Sequence, residues 1–83
     1  MMLDDWEKLE KYAEWCRCGM YQVIKNSDSL EVRIMVGRFG YIQTFDSIEN
    51  EQYKRILRFC NAEGFYRIVS NIPDELFFRT LEA

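Results

Sequence analysis

The stretch LEVRIMVGRFGYIQTF, residues 30–45, carries the clearest structural signal in the chain. Over residues 30–36, apolar side chains alternate with polar ones and a methionine, which is the period of a strand with one buried face. The segment GRFG (37–40) has glycine at both ends, as tight hairpin connections often do. The segment YIQTF (41–45) follows as the next strand. This stretch therefore predicts a β-hairpin within an antiparallel sheet that has one face against a core.

A helix is predicted upstream of this hairpin, over residues 4–17. Its apolar residues recur at helical spacing; they are Trp6, Leu9, Ala13 and Cys16, with Tyr12 beside them. Gly19 is expected to end the helix in a left-handed conformation. The segment MYQVIK (20–25) then alternates as the first strand, and NSDS (26–29) is the turn that joins it to the hairpin.

A second helix is predicted downstream, over residues 46–64. Asp46 and Glu49 have the spacing of a capping box, Ser47 is a competing cap, and Gly64 ends the helix. Its apolar stripe consists of Tyr53, Ile56, Leu57 and Cys60.

The last part of the chain predicts one more strand and one more helix. FYRIVS (65–70) is aromatic and β-branched and follows a glycine, which favours a strand. Pro73 opens a short helix whose inward residues are Leu76, Phe77 and Leu81. The sequence thus predicts one α+β domain over residues 1–83 in the order α-β-β-β-α-(β)-α. Its antiparallel sheet has three strands, or four with 65–70, and its helices pack on one face.

Composition excludes several broad classes of protein. The chain has 83 residues, a net charge of −3, 48% hydrophobic and 30% charged residues, which is ordinary for a globular domain. No apolar run approaches the roughly 18 residues that span a bilayer, so no membrane role is expected. The acidic, amphipathic N-terminal segment is unlike a signal peptide, and the odd number of cysteines fits a reducing compartment. A cytoplasmic protein is therefore expected.

The cysteines are the first candidates for chemistry. The chain has no histidine, and Cys16 and Cys18 would lie about 200° apart on a helix, so with Cys60 they make at best an incomplete metal site. Free cysteine usually packs as a small hydrophobe. GRFG lacks the spacing and the lysine of a phosphate-binding loop. We therefore expect no metal, no cofactor, no catalytic residues and no enzymatic activity.

A basic cluster supports an alternative function, nucleic-acid binding. It consists of Lys54, Arg55, Arg58 and Arg67. These side chains would contact phosphates. Acidic residues are interleaved with them at helix-neighbour spacing, and the overall charge is negative, so this alternative is the weaker one.

The aromatic content of 16% is high for so small a chain and indicates a surface that binds another protein. The candidate residues are Arg33, Met35, Arg38, Phe39, Tyr41 and Trp15. Phe39 is expected to be exposed at the hairpin tip. A homodimer is a third interpretation, in which the surplus aromatic residues face a second copy.

The order of elements is similar to that of two groups of proteins. In double-stranded-RNA-binding domains the second helix begins with basic residues, whereas here it begins with the acidic SIENEQ (47–52). The chain also resembles some small phage-encoded inhibitors of CRISPR nucleases in element order, size and acidity. That resemblance implies a phage protein that inhibits a larger complex. The predicted function is a non-catalytic protein-binding module, an inhibitor or a small regulatory subunit.

Overall fold

The computed structural model describes residues 5–16 and 18–81, and it describes the side chains of all of these except Thr80 and Leu81. The elements are α1 (Asp5–Trp15), β1 (Gly19–Lys25), β2 (Leu30–Val36), β3 (Phe39–Phe45), α2 (Glu51–Ala62), β4 (Tyr66–Arg67) and α3 (Asp74–Leu81). The predicted α+β class, the element order and the packing of the helices on one face of the sheet are confirmed. The outermost residues of the predicted first helix, 4 and 17, lie outside the described residues.

The four strands lie in the order β3-β2-β1-β4. β1 pairs with β2, and β2 with β3, in antiparallel fashion, so the predicted meander is present. β4 pairs with β1 in parallel, which makes the sheet mixed, and it has two residues where the sequence predicted a strand over 65–70. The parallel direction arises because α2 carries the chain back along the sheet before β4 begins.

Beyond β4, one backbone hydrogen bond and then side-chain hydrogen bonds join the chain to β1. Ile68 N–H donates to Tyr21 O at 2.8 Å, and the Ser70 hydroxyl donates to Val23 O. The Asn71 side-chain amide then accepts from Lys25 N–H and donates to Lys25 O, both at 2.8 Å. The Asn71 side chain thus makes the hydrogen bonds to Lys25 that a residue of a neighbouring strand would make.

The hairpin between β2 and β3 is tighter than predicted. Val36 pairs with Phe39, so only Gly37 and Arg38 form the turn. Gly37 has φ +57°, a conformation that primed hairpin turns require and that glycine adopts without penalty. β3 consequently begins at Phe39, two residues before the predicted start at residue 41.

The caps of α2 differ in part from the prediction. Asn50 is the N-cap, and its side-chain oxygen accepts from Gln52 N–H at 2.9 Å and Tyr53 N–H at 3.2 Å. The predicted caps Asp46 and Ser47 instead organise the preceding turn, where Ser47 Oγ accepts from Glu49 N–H. The predicted helix end at Gly64 is confirmed by its φ of +72°.

Gly19 has a different role from the predicted one. It belongs to β1 and does not have a positive φ. A Cβ at this position would lie 2.6 Å from the Phe65 ring, so the glycine is needed for close packing.

The core lies between the sheet and the three helices. The predicted helical stripes are buried: Trp6, Leu9 and Ala13 in α1, and Tyr53, Ile56, Leu57 and Cys60 in α2. Rings from the helices pack on rings from the sheet, with centroids 5.7 Å apart for Trp6 and Tyr41 and 6.1 Å apart for Tyr21 and Phe77. Leu76 packs partly buried against this core, while the predicted inward side chain of Leu81 lies outside the described side chains.

Among the described residues, no helix is long and apolar enough to cross a membrane.

Candidate protein-binding surface

The helix-free surface of the sheet carries an exposed group of apolar side chains. Strand register places Tyr66, Met20, Met35 and Gly40 in one row across all four strands. The neighbouring row contains Gln22, Arg33 and Ile42. These positions alternate with the buried ones, so their side chains project away from the core. We call this surface the open face and define it by Met20, Gln22, Arg33, Met35, Ile42 and Tyr66.

The open face is shallow and predominantly apolar. Ile42 is 65% exposed and Tyr66 69% exposed, while Met20 and Met35 are each a little under half exposed. A depression of about 520 Å³ lies over the rows and also reaches Ile68. Gly40 has no side chain, and this leaves the depression open beside Met35.

One ion pair lies beside the apolar group. Arg33 Nε donates to Glu31 Oε2 at 2.8 Å, and about half of the Arg33 side chain remains accessible. Methionine side chains adapt their shape to a partner, and arginine with aromatic residues is enriched at the centres of interfaces. The open face therefore combines side-chain types that are common at protein interfaces.

Of the predicted partner-binding residues, Arg33 and Met35 lie together on the open face. Phe39 and Tyr41 do not, because odd-numbered residues of β3 face the helices. Tyr41 is buried against Trp6. The expected exposure of Phe39 is wrong, since its ring is half-buried and stacks on Tyr12 with centroids 6.2 Å apart.

The remaining two candidates lie elsewhere. Arg38 is exposed in the hairpin turn, and Trp15 is 87% exposed at the end of α1. Trp15 lines a separate hollow with Lys8, Lys11, Tyr12 and Cys16. The structure therefore divides the predicted surface among the open face, the turn and the helical layer.

Sequence reasoning missed Met20, Ile42 and Tyr66. The sequence contained enough information to place the first two beside Arg33 and Met35. A two-residue turn at 37–38 places Ile42 opposite Arg33, and a two-residue turn at 27–28 places Met20 opposite Met35. Tyr66 belongs to the surplus of aromatic residues in the composition, but its place in this row could not be predicted, since it depends on the two-residue parallel pairing with β1.

The basic residues of the nucleic-acid alternative are largely engaged with acidic neighbours. Lys54 Nζ lies 3.2 Å from Glu49, and Arg55 lies 3.4 Å from Glu10 of α1. Arg58 lies on the same helix, exposed.

Arg67 belongs to a different part of the molecule. Its guanidinium lies 3.7 Å from the centroid of the Phe77 ring and 3.4 Å from Asp74. It therefore packs against α3 and is not continuous with the α2 residues.

The cysteines Cys16, Cys18 and Cys60 are all free thiols. Cys60 is fully buried in α2, and burial raises the pKa of its thiol to about 12. Burial also raises the pKa of the Tyr21 hydroxyl. Within the described part of the chain, no three cysteine or carboxylate side chains converge in a way that could hold a metal ion.

Comparison of the chain with family models, with curated proteins and with solved structures yields no match.

Proposed function

We propose that the protein is a non-catalytic protein-binding module that contacts its partner through the open face. In this proposal it acts as an inhibitor or a small regulatory subunit of a larger complex. The observation that carries the proposal is the alignment of exposed Met20, Met35, Ile42 and Tyr66 across neighbouring strands. A phage-type inhibitor in the cytoplasm is the specific version of this function, supported by small size, acidity and free thiols.

The placement of these side chains favours binding over folding as their role. Burying apolar surface stabilises a protein or a complex by roughly 25 cal/mol per Å². The core already contains helix-facing residues of β1, β2 and β3, such as Val23, Val32 and Phe45, so the open-face side chains contribute little of that stabilisation in the isolated chain. The energy becomes available when a partner covers them.

A charge placed in the centre of the open face provides the test. Met35→Asp puts a carboxylate between Met20 and Gly40, where a docked apolar surface would leave it without water. Val69→Asp is the matched control, because it adds the same charge at an exposed apolar residue outside the strands. Partners would be isolated by photo-crosslinking from a probe at position 20, on a strand away from the β3 edge, and then measured as purified proteins by calorimetry.

The expected result is one stoichiometric partner whose Kd rises at least about tenfold with Met35→Asp and stays within about twofold with Val69→Asp. Equal affinity of the two variants would show that the partner binds elsewhere, and failure of the wild type to bind any purified candidate would contradict the proposal.

Nucleic-acid binding remains the alternative, and it makes an opposite prediction. It requires salt-sensitive binding of RNA or DNA that weakens when Lys54, Arg55 and Arg58 are neutralised together. We expect no mobility shift even at low salt, because acidic side chains already neutralise Lys54 and Arg55. A shift that disappears in the triple variant would favour the alternative.

A further inference from the structure

The outer edge of β3 exposes backbone N–H and C=O groups that form no backbone hydrogen bond with any other described residue. The Gly37 N–H donates to Cys18 O, and this fixes which residues of β2 hydrogen-bond toward β1. The direction of hydrogen bonding alternates along each strand, so the even-numbered residues of β2 bond toward β3. Their partners in the register, residues 39, 41, 43 and 45 of β3, therefore direct their N–H and C=O groups toward β2. Gly40, Ile42 and Thr44 direct both groups outward, and among residues 5–16 and 18–81 they have no backbone partner on that side.

This edge lacks the features that normally prevent pairing with another strand. Natural edge strands carry lysine, proline or a bulge, or are very short. β3 has seven residues, FGYIQTF, with no charged residue and no proline. Its outward-bonding residues are small or β-branched, so a neighbouring strand can approach them.

We propose that two copies of this chain pair through β3 about a twofold axis at Ile42, joining their sheets into one continuous sheet. In this antiparallel register Ile42 lies opposite Ile42 of the second copy, and Gly40 lies opposite Thr44. Every outward N–H and C=O of these three residues then has a partner. This interface shares Ile42 with the open face, but it is formed by backbone pairing at the edge of the sheet and goes beyond the function proposed above.

Charge complementarity fixes this register. The same pairing places Arg38 of each copy opposite Asp46 of the other, one pair at each end of the strand. Both side chains are exposed, and Arg38 has no ion-pair partner among the described residues. Asp46 only accepts a hydrogen bond from the Asn50 side chain at 3.4 Å. A shift of the strands by two residues would separate these charges and leave backbone groups unpaired.

The interface is small, so the dimer dissociates readily. One seven-residue strand from each copy is well below the roughly 20–30 residues per side of a standard interface. We therefore expect a monomer–dimer equilibrium in sedimentation between about 10 µM and about 1 mM.

Charge-reversal variants test the register. Arg38→Glu places two carboxylates together at each end, and Asp46→Arg places two guanidinium groups together. Each variant alone is expected to raise the dimer Kd roughly tenfold or more, because both ends become repulsive. An equimolar mixture restores association, since each end of the mixed dimer then pairs opposite charges. Restoration also shows that both variants are folded.

Two further variants compare the edge strand with a part of the open face that lies away from the edge. Ile42→Lys puts two ammonium groups on the twofold axis, with Cα atoms about 5.5 Å apart, and should abolish the dimer. Met20→Asp is the control, because β1 lies two strands away from the edge, about 10 Å, and it should leave the dimer Kd unchanged. A wild type that sediments as a monomer up to about 1 mM, a dimer that survives Ile42→Lys, or a mixture without restored association would overturn the proposal.

Discussion

Burial in the folded protein changes the reactivity of Cys60. Its thiol is completely buried, whereas Cys18 lies exposed between α1 and β1. Thiol reagents attack the thiolate, so both burial and a raised pKa protect a cysteine. We predict that Ellman's reagent modifies Cys18 rapidly in the folded protein and Cys60 only after urea unfolding. Cys18→Ser should remove the rapid phase; modification of Cys60 at the rate of an unfolded thiol would contradict its burial.

The same residue makes stability depend on alkaline pH. The pKa of Cys60 is about 12 in the folded protein against an ordinary value of 9.0. The unfolded chain therefore loses this proton first, so the stabilising contribution is complete below about pH 9 and is lost as pH rises toward about 12. Urea titrations should show the free energy of unfolding falling by about 2 kcal/mol between about pH 8 and about pH 10.5 through this group.

Other groups titrate in this range, and Tyr21 acts in the same direction. Cys60→Ala isolates the contribution of the thiol, since it removes the titrating group while the others remain. The decrease between the two pH values should be smaller in this variant by about 2 kcal/mol. Equal decreases in the two proteins would show that Cys60 ionises as it does in the unfolded chain.

At the scale of elements, the β2–β3 hairpin depends on the backbone at Gly37. Its positive φ is unfavourable for any residue with a side chain, and a Cβ there would lie 3.0 Å from Cys16 Sγ and 3.0 Å from the Tyr12 ring. We expect Gly37→Ala to lower the free energy of unfolding by about 1–3 kcal/mol in chemical denaturation.

Gly40→Ala is the control within the same hairpin. A Cβ at Gly40 meets only the end of Met35, at 3.9 Å, and its φ is not positive. Its free energy of unfolding should change by less than about 0.5 kcal/mol. Similar losses at the two glycines would mean that strand propensity, and not turn geometry, determines the cost.

The elements also show what the sequence could predict. Periodic signals of many residues identified α1, β2 and α2, because each buries one face and repeats its pattern several times. β4 could not be predicted in the same way. It has two residues, and its position is fixed by Ser70 and Asn71 side chains bonded to the backbone of β1. The cap at Asn50 was missed because Asp46 and Ser47 offered equally good local patterns.

The candidate surface was predicted less well than the fold, for a related reason. Starting β3 at residue 41 left Phe39 in the turn, so its place on the core side of the strand was not predicted. Tyr41 was assigned to the partner surface although alternation within 41–45 already places it on the same side as Phe45. Exposure of single aromatics also depends on tertiary packing, which a composition of 16% aromatics does not specify. The exposure of Arg33 and Met35 was predicted because the alternation of β2 is unambiguous; their role in binding stays a prediction.

At the scale of the whole molecule, the two faces of the sheet should differ sharply in their effect on stability. Ile34 and Ile42 lie on neighbouring strands, 2% and 65% exposed respectively. Ile34→Thr buries a hydroxyl and removes a methyl group from the core, and we expect it to cost about 2–4 kcal/mol. Ile42→Thr keeps a β-branched side chain in the strand and should change stability by less than about 0.5 kcal/mol. Thermal unfolding of both variants would measure the difference; equal losses would indicate that the open face stabilises the folded chain.

The hydrogen bonds between the Asn71 side chain and Lys25 of β1 limit the addition of further strands to the sheet. A sheet with two long, free edges can add copies end to end without limit, which is the geometry of a fibre. Here one side ends in the two residues of β4, and the neighbouring part of β1 is occupied by Ser70 and Asn71. Growth can therefore proceed from only one side, and any pairing of like edges is complete at two copies. Side-chain amide bonds at one edge thus protect the whole molecule from polymerisation.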